Sequence, residues 1–162
     1  MGGLFYYSMI KIRKYKESDA RDLWAIFYHT IRNVNIRDYT QAQVEAWAPN
    51  GFSSDIWQRK MNSISPFVAE IGGEIVGYAD LQESGLIDHF FCHHEHQGKG
   101  IGRNLMEHVL KVGELQGIIR FYSEVSITAR PFYEKFGFKV AQEQMVEVRG
   151  QKLRNFVMEK FS

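Results

Sequence analysis

The chain opens on an alternation, with Ile10 and Ile12 set between Lys11 and Arg13, which predicts a half-buried strand over residues 9–15. The period then lengthens. Leu23, Ile26, Phe27 and Ile31 recur at helical spacing, behind Ser18 or Asp19 as a cap. Thr40 and Gln43 form a capping-box pattern ahead of Val44 and Trp47, and Pro49-Asn50-Gly51 interrupts that helix. Ser53 or Ser54 starts another helix through Ile56, Trp57 and Met61. Two β-rich runs, 67–71 and 75–81, then flank Gly72-Gly73 and predict a hairpin. A strand over 86–92 follows Gly85. Gly102, Leu105, Met106, Val109 and Leu110 share one face of a helix running toward Gly113. A strand over 118–125 leads to a short helix over 129–136, with Thr128 as a possible cap and Pro131 in its first turn. Residues 138–149 and 153–160, about Gly150, close the chain as a second hairpin.

The order is therefore β, two or three α, βββ, α, β, α, ββ. Helices interleaved with strands favour a mixed sheet flanked by helices, in an α/β architecture. No repeat, low-complexity tract or linker divides the chain, so residues 9–162 read as one domain and residues 1–8 as a loose extension. With 162 residues, 44% of them apolar, there is material for one filled core. A net charge of +1 leaves no nucleic-acid footprint. One cysteine fits a reducing compartment such as the cytoplasm. No apolar run approaches the roughly 18 residues of a membrane span. The N-terminus has no signal-peptide pattern, and Tyr6 stands where myristoylation wants Ser or Thr.

Chemistry concentrates in residues 90–107, FFCHHEHQGKGIGRNLME. Gly98, Gly100 and Gly102 leave backbone N–H groups uncovered, and the helix that follows adds the positive end of its dipole. Such a junction can seat phosphate. It matches neither GxGxxG nor GxxxxGK[ST]. His89, Cys92, His93, His94 and His96 also cluster here. A structural zinc site usually draws on separated ligand pairs, whereas these sit on one strand end and a tight loop, so no metal is expected.

Gln97, Gly100 and Gly102 match the Gln/Arg-x-x-Gly-x-Gly/Ala hallmark of the GCN5-related N-acetyltransferase (GNAT) superfamily, and ARPFYEKFGF, residues 129–138, resembles its fourth-helix signature. The order of elements agrees, so the resemblance covers the chain from about residue 9 to residue 161. SITARPFYEKFGF, MVEVRG and NFVME look like one branch of small bacterial acetyltransferases. His94 and His96 depart from the family habit of a proline and an aromatic. The resemblance implies a sheet splayed between its fourth and fifth strands, with acetyl-CoA bound in the gap. Phe90, Phe91 and Cys92 would present backbone to the pantetheine arm. The backbone of Gln97, Gly98, Lys99, Gly100, Ile101, Gly102 and Arg103 would hold the pyrophosphate, with Lys99 and Arg103 strengthening the positive field. Ser126 and Thr128 fall near the lower cofactor arm in relatives, or serve as turn or cap residues. Tyr133 would protonate the departing thiolate, a task suited to a phenol of pKa about 10.

An attacking amine must be neutral, so a base is useful. Asp88 stands near where relatives place a carboxylate; Glu83, His89, His29 and a water remain alternatives. Asp88 shares one strand face with Phe90, and His89 the other with Phe91. The expected activity is acetyl transfer to the amine of a small molecule or peptide. The alternative is a non-catalytic acyl-CoA-binding or sensing module. Trp24, Phe27, Tyr28, Tyr39, Trp47, Trp57 and Tyr78 can line an acceptor pocket or simply fill the core. A homodimer is the commonest assembly to expect.

Overall fold

The computed structural model describes residues 9–162; the expected extension over 1–8 lies outside them. The elements are β1 (Ile10–Lys14), α1 (Ala20–Asn33), α2 (Gln41–Trp47), α3 (Ser54–Ile64), β2 (Phe67–Ile71), β3 (Glu74–Ala79), β4 (Phe90–Cys92), α4 (Ile101–Leu115), β5 (Arg120–Ser126), α5 (Arg130–Lys135), β6 (Lys139–Val148) and β7 (Gln151–Phe161). Thr40 Oγ1 accepts the Gln43 N–H and Gln43 answers at the Thr40 N–H, the capping box its sequence predicts. Asp19 behaves differently from a simple helix cap. Its carboxylate accepts the Lys16 N–H and a forked pair of donors from Arg13, tying β1 to the start of α1.

The strands form two antiparallel sheets, β1-β2-β3-β4 and β5-β7-β6. They meet at one parallel contact, the bridge between Leu86 and Tyr122, where the Ile87 N–H donates to the Tyr122 carbonyl at 2.9 Å and the Tyr122 N–H to the Gly85 carbonyl at 3.1 Å. Past that point β4 and β5 are not paired, and the combined mixed sheet opens.

The expected strand over 86–92 is correspondingly shorter, only Phe90–Cys92. Asp80 is the reason. Its Oδ1 accepts the backbone N–H groups of Asp88 and His89 at 2.8 and 2.7 Å, removing two donors that a continuous ladder would use. Gly85 sits at the meeting point with φ +96°, and a Cβ there would fall 1.9 Å from the Arg120 carbonyl oxygen. The two sheets can close to this distance only on glycine.

Helices cover the sheets on both sides. On one, Leu23, Ile31, Met61, Val68 and Tyr78 are buried beneath α1 and α3. On the other, α4 presses Ile101, Leu105 and Met106 against Phe121, Phe138 and Met158. Burial of each such side chain is worth roughly 1.5–3 kcal/mol. Gly77 permits the close approach of α4, since a Cβ there would lie 3.0 Å from Ile101 Cγ2 and 3.1 Å from Leu105 Cδ1. Among the described residues no helix is long and apolar enough to cross a membrane.

Candidate active site

Where β4 leaves β5 the molecule contains a cavity of about 710 Å³, lined by β4, the glycine loop, β5, α5, the end of α1, α2 and the β6–β7 hairpin. At one end lies the loop read from sequence. Gln97 Nε2 donates to the Cys92 carbonyl at 2.9 Å and to the His93 carbonyl at 3.3 Å, so this side chain clasps the loop to β4. Thr30 Oγ1 donates to the same Cys92 carbonyl at 2.8 Å. Gly98 and Gly100 adopt φ values of +75° and +82°, which an L side chain rarely tolerates. Space over Gly98 is open, while a Cβ on Gly102 would lie 3.0 Å from the Phe132 ring. The first backbone bond of α4 runs from the Asn104 N–H to the Gly100 carbonyl. The N–H groups of Ile101, Gly102 and Arg103 precede it, with no helical partner. Arg103 lines the cavity and Lys99 does not.

In the middle stands Tyr133, 3% exposed and packed against the rings of Phe90, Phe132 and Phe138. It is a cavity wall and a core aromatic at once. Burial pushes its hydroxyl well above the ordinary phenol value, a hydrogen bond with Ser123 draws it part of the way back, and Asp80 and Cys92 add smaller upward pushes. The group is protonated at neutral pH. Ser123 Oγ in turn donates to the Ile87 carbonyl at 2.7 Å. The Cys92 thiol is pushed up to about 12 by burial, which leaves it no thiolate character for nucleophilic work.

Asp88 and His89 both line the cavity, although they alternate in sequence, because the chain bends around Asp80 here. The Asp88 carboxylate is one-third exposed and ion-paired to Lys60 of α3 at 2.6 Å. His89 Nδ1 lies 3.0 Å from the Tyr78 hydroxyl, and its ring packs among Phe27, Trp57, Tyr78 and Phe91. Desolvation lowers its pKa to about 4, against which Asp88 pulls upward, so the imidazole is neutral. Glu83 and His29 lie outside the cavity lining.

Ser126 Oγ accepts the Ala129 N–H at 3.0 Å and an Asn35 Nδ2–H at 3.3 Å, making it the residue that turns β5 into α5. Thr128 does not cap that helix. Its Oγ1 lines the cavity buried, with no protein partner among the described residues. Of the histidine cluster only His96 joins His89 in the cavity wall. The rings of His93 and His94 stack at 4.9 Å, and those of His93 and His96 meet edge-on at 5.0 Å. Among the described residues no three His, Cys, Asp or Glu side chains are placed to hold a metal ion.

Several wall residues carried no signal in the sequence. Asn35 lies in the turn after α1, Ser123 and Glu124 on β5 and Asn155 on β7, and only the folded chain brings them together. Asp80 was more visible, as a carboxylate placed directly after the apolar strand β3.

Two antiparallel sheets joined at one parallel bridge open onto a glycine-lined helix start, the mixed α/β arrangement that the sequence resemblance implied. Residues 35–160 match the family model described as acetyltransferase (GNAT) domain, and the chain belongs to that superfamily. It is 32% identical over 149 residues to an uncharacterized N-acetyltransferase YafP of Escherichia coli (strain K12), covering 92% of this chain and 94% of the other. A GCN5-related N-acetyltransferase of Rhodopseudomonas palustris, described as "Aminotransferase, Class-II", superposes with a TM-score of 0.90 at 27% identity, over 94% and 95% of the two chains. The paiA N-acetyltransferase of Thermoplasma acidophilum, solved in complex with coenzyme A, shares the fold with a TM-score of 0.72 at 21% identity, over 94% and 99%.

Proposed function

We propose that this protein transfers the acetyl group of acetyl-CoA to the amine of an acceptor. The observation that carries the reading is the cavity between β4 and β5, which places a buried, protonated tyrosine beside a glycine-lined helix start. Three features fit the donor. Gly98 leaves open space over the loop, the first amides of α4 are available to a diphosphate, and Thr128 Oγ1 is a buried polar atom with no partner among the described residues. The backbone of residues 97–103 and the guanidinium of Arg103 are assigned to the diphosphate. Phe90, Phe91, Cys92, Ser126 and Thr128 are assigned to the pantetheine arm. Because the Cys92 carbonyl already accepts from Thr30 and Gln97, other backbone groups of β4 serve that arm.

Bound acetyl-CoA supplies the acetyl group and a thiolate leaving group. Tyr133 holds the proton that the sulfur needs, and its raised pKa keeps that proton in place until the sulfur acquires charge. Asp88 is the base nominated from sequence, and its ion pair with Lys60 holds it at the cleft mouth, where it can take a proton from the amine through water. His89 is held neutral and lies too far below its ordinary pKa to compete for that proton. Reactant orientation in the cavity supplies the remaining advantage.

The test couples two measurements. Calorimetric titration of acetyl-CoA into the wild-type chain and Arg103→Ala reads the donor site, and thiol release with an amine panel reads transfer. Binding weakened in Arg103→Ala together with amine-dependent release supports the proposal. Wild-type binding with no release on any amine favours a non-catalytic acyl-CoA-binding protein.

A further inference from the structure

Beyond the donor site, the same cavity extends away from the glycine loop into a second region, and its walls define an acceptor class. Phe27, Trp47, Phe91, Val146, Val148 and Leu153 supply a mainly aromatic and aliphatic lining. They come from α1, α2, β4 and the β6–β7 hairpin. An extended polypeptide needs an open groove between such elements. Here three hydrogen bonds bridge that passage. Gln43 Nε2 donates to the Lys152 carbonyl at 2.9 Å, the Tyr39 hydroxyl to the Arg154 carbonyl at 2.6 Å, and Arg149 Nη1 to the Ala46 carbonyl at 2.8 Å. All three bonds join α2 and its flanks to the hairpin.

Polar groups on this side are few and directional. Asn155 pairs with Ser126 on β5 and with Gln144 on β6, so the three share one sheet face. Asn155 Oδ1 is buried, lines the cavity and has no hydrogen-bond partner among the described residues. It is an acceptor atom without a donor, the complement of an amine N–H. Glu124 lies two residues along β5 on the same face and accepts a Gln144 Nε2–H at 2.9 Å. Of the two lining carboxylates, Asp88 is ion-paired to Lys60, which leaves Glu124, bonded only by a neutral amide, as a single acidic group rather than a row of them for a polycation.

We propose that the acceptor is a compact primary amine with an apolar or aromatic body, its nitrogen donating to Asn155 and its body packed against Trp47 and the hairpin valines, rather than a polypeptide or a polyamine. This rests on the acetyl-transfer reading for its chemistry and not for its binding. A mainly apolar wall with a few placed polar groups is the usual form of a small-ligand pocket.

The experiment measures amine binding separately from turnover. The full chain, with and without CoA, is titrated with 2-phenylethylamine, spermidine and the tripeptide Ala-Ala-Ala while tryptophan fluorescence is followed, and thiol release from acetyl-CoA is recorded for each. The inference expects saturable binding and the highest kcat/KM for 2-phenylethylamine. Trp47→Phe and Asn155→Leu are expected to raise its KM by about tenfold or more, the effect of losing one modest contact. Retained acetyl-CoA binding shows that these variants are folded. Saturable 2-phenylethylamine binding without thiol release supports the acceptor class while counting against transfer. No binding of 2-phenylethylamine, or turnover of the tripeptide or spermidine in preference to it, overturns the inference.

Discussion

Asp80 and His89 bond each other twice: the Asp80 carboxylate accepts the His89 N–H at 2.7 Å, and the Asp80 N–H donates to the His89 carbonyl at 3.1 Å. The pair ends the regular strand and turns residues 88 and 89 toward the cleft. Asp80→Ala strands the amides of Asp88 and His89, each worth roughly 1–3 kcal/mol when left unsatisfied. The expected loss in urea denaturation is about 2–6 kcal/mol on that basis. A loss below about 0.5 kcal/mol, the range of an ordinary surface change, would show that the pair is not a structural clamp.

The same two residues give stability an unusual pH dependence. Burial raises the Asp80 pKa to about 6, above the unfolded value near 4, so its contribution is largest in acid and falls as pH rises from about 4 to about 6. Burial lowers His89 to about 4, below the unfolded value near 6.5, so its contribution is lost as pH falls through that same window. The slopes oppose one another. Asp80→Asn, which removes the carboxylate titration and keeps an acceptor oxygen, is expected to make stability fall more steeply with acid between pH 6 and 4. An unchanged slope in denaturant midpoints across that range would contradict the assignment.

Gly85 is the pivot at which the sheets touch. With φ +96° and the Arg120 carbonyl 1.9 Å from any Cβ, Gly85→Ala requires the Leu86–Tyr122 bridge to move. Backbone strain and overpacking together cost about 3 kcal/mol or more. Thermal unfolding reads the cost, and acetyl-CoA affinity at low temperature reads the displaced cleft; both are expected to fall.

Tyr133→Phe removes one hydroxyl from a well-packed ring. We expect kcat to drop by roughly 10²-fold or more, in line with general acid catalysis, with acetyl-CoA affinity nearly unchanged. An equal fall in donor affinity would place the residue in binding rather than in proton transfer.

Much of this architecture is written in local pattern. Gly72-Gly73 and Gly150 mark both hairpins, and Thr40 with Gln43 marks the α2 start, because turn and cap chemistry act over a few residues. Gln97, Gly100, Gly102 and Tyr133 were legible through family resemblance, and the fold brings all four to one cavity. The shortening of β4 was not legible, since it depends on a carboxylate eight residues earlier that withdraws two amides from the ladder. Nor was Asn155, whose significance is the missing partner of one buried oxygen. Periodicity reports which face a residue occupies. It does not report which polar atoms a closed core leaves unpaired.

Transfer is measured most directly by following the acetyl group itself. Wild-type protein is incubated with trideuteroacetyl-CoA and an amine panel, and the products are weighed by mass spectrometry. The predicted result is a labelled N-acetyl amine formed in proportion to CoA released and strongly reduced in Tyr133→Phe. Tight binding of the labelled donor, with the label remaining on CoA for every amine tested, would contradict it.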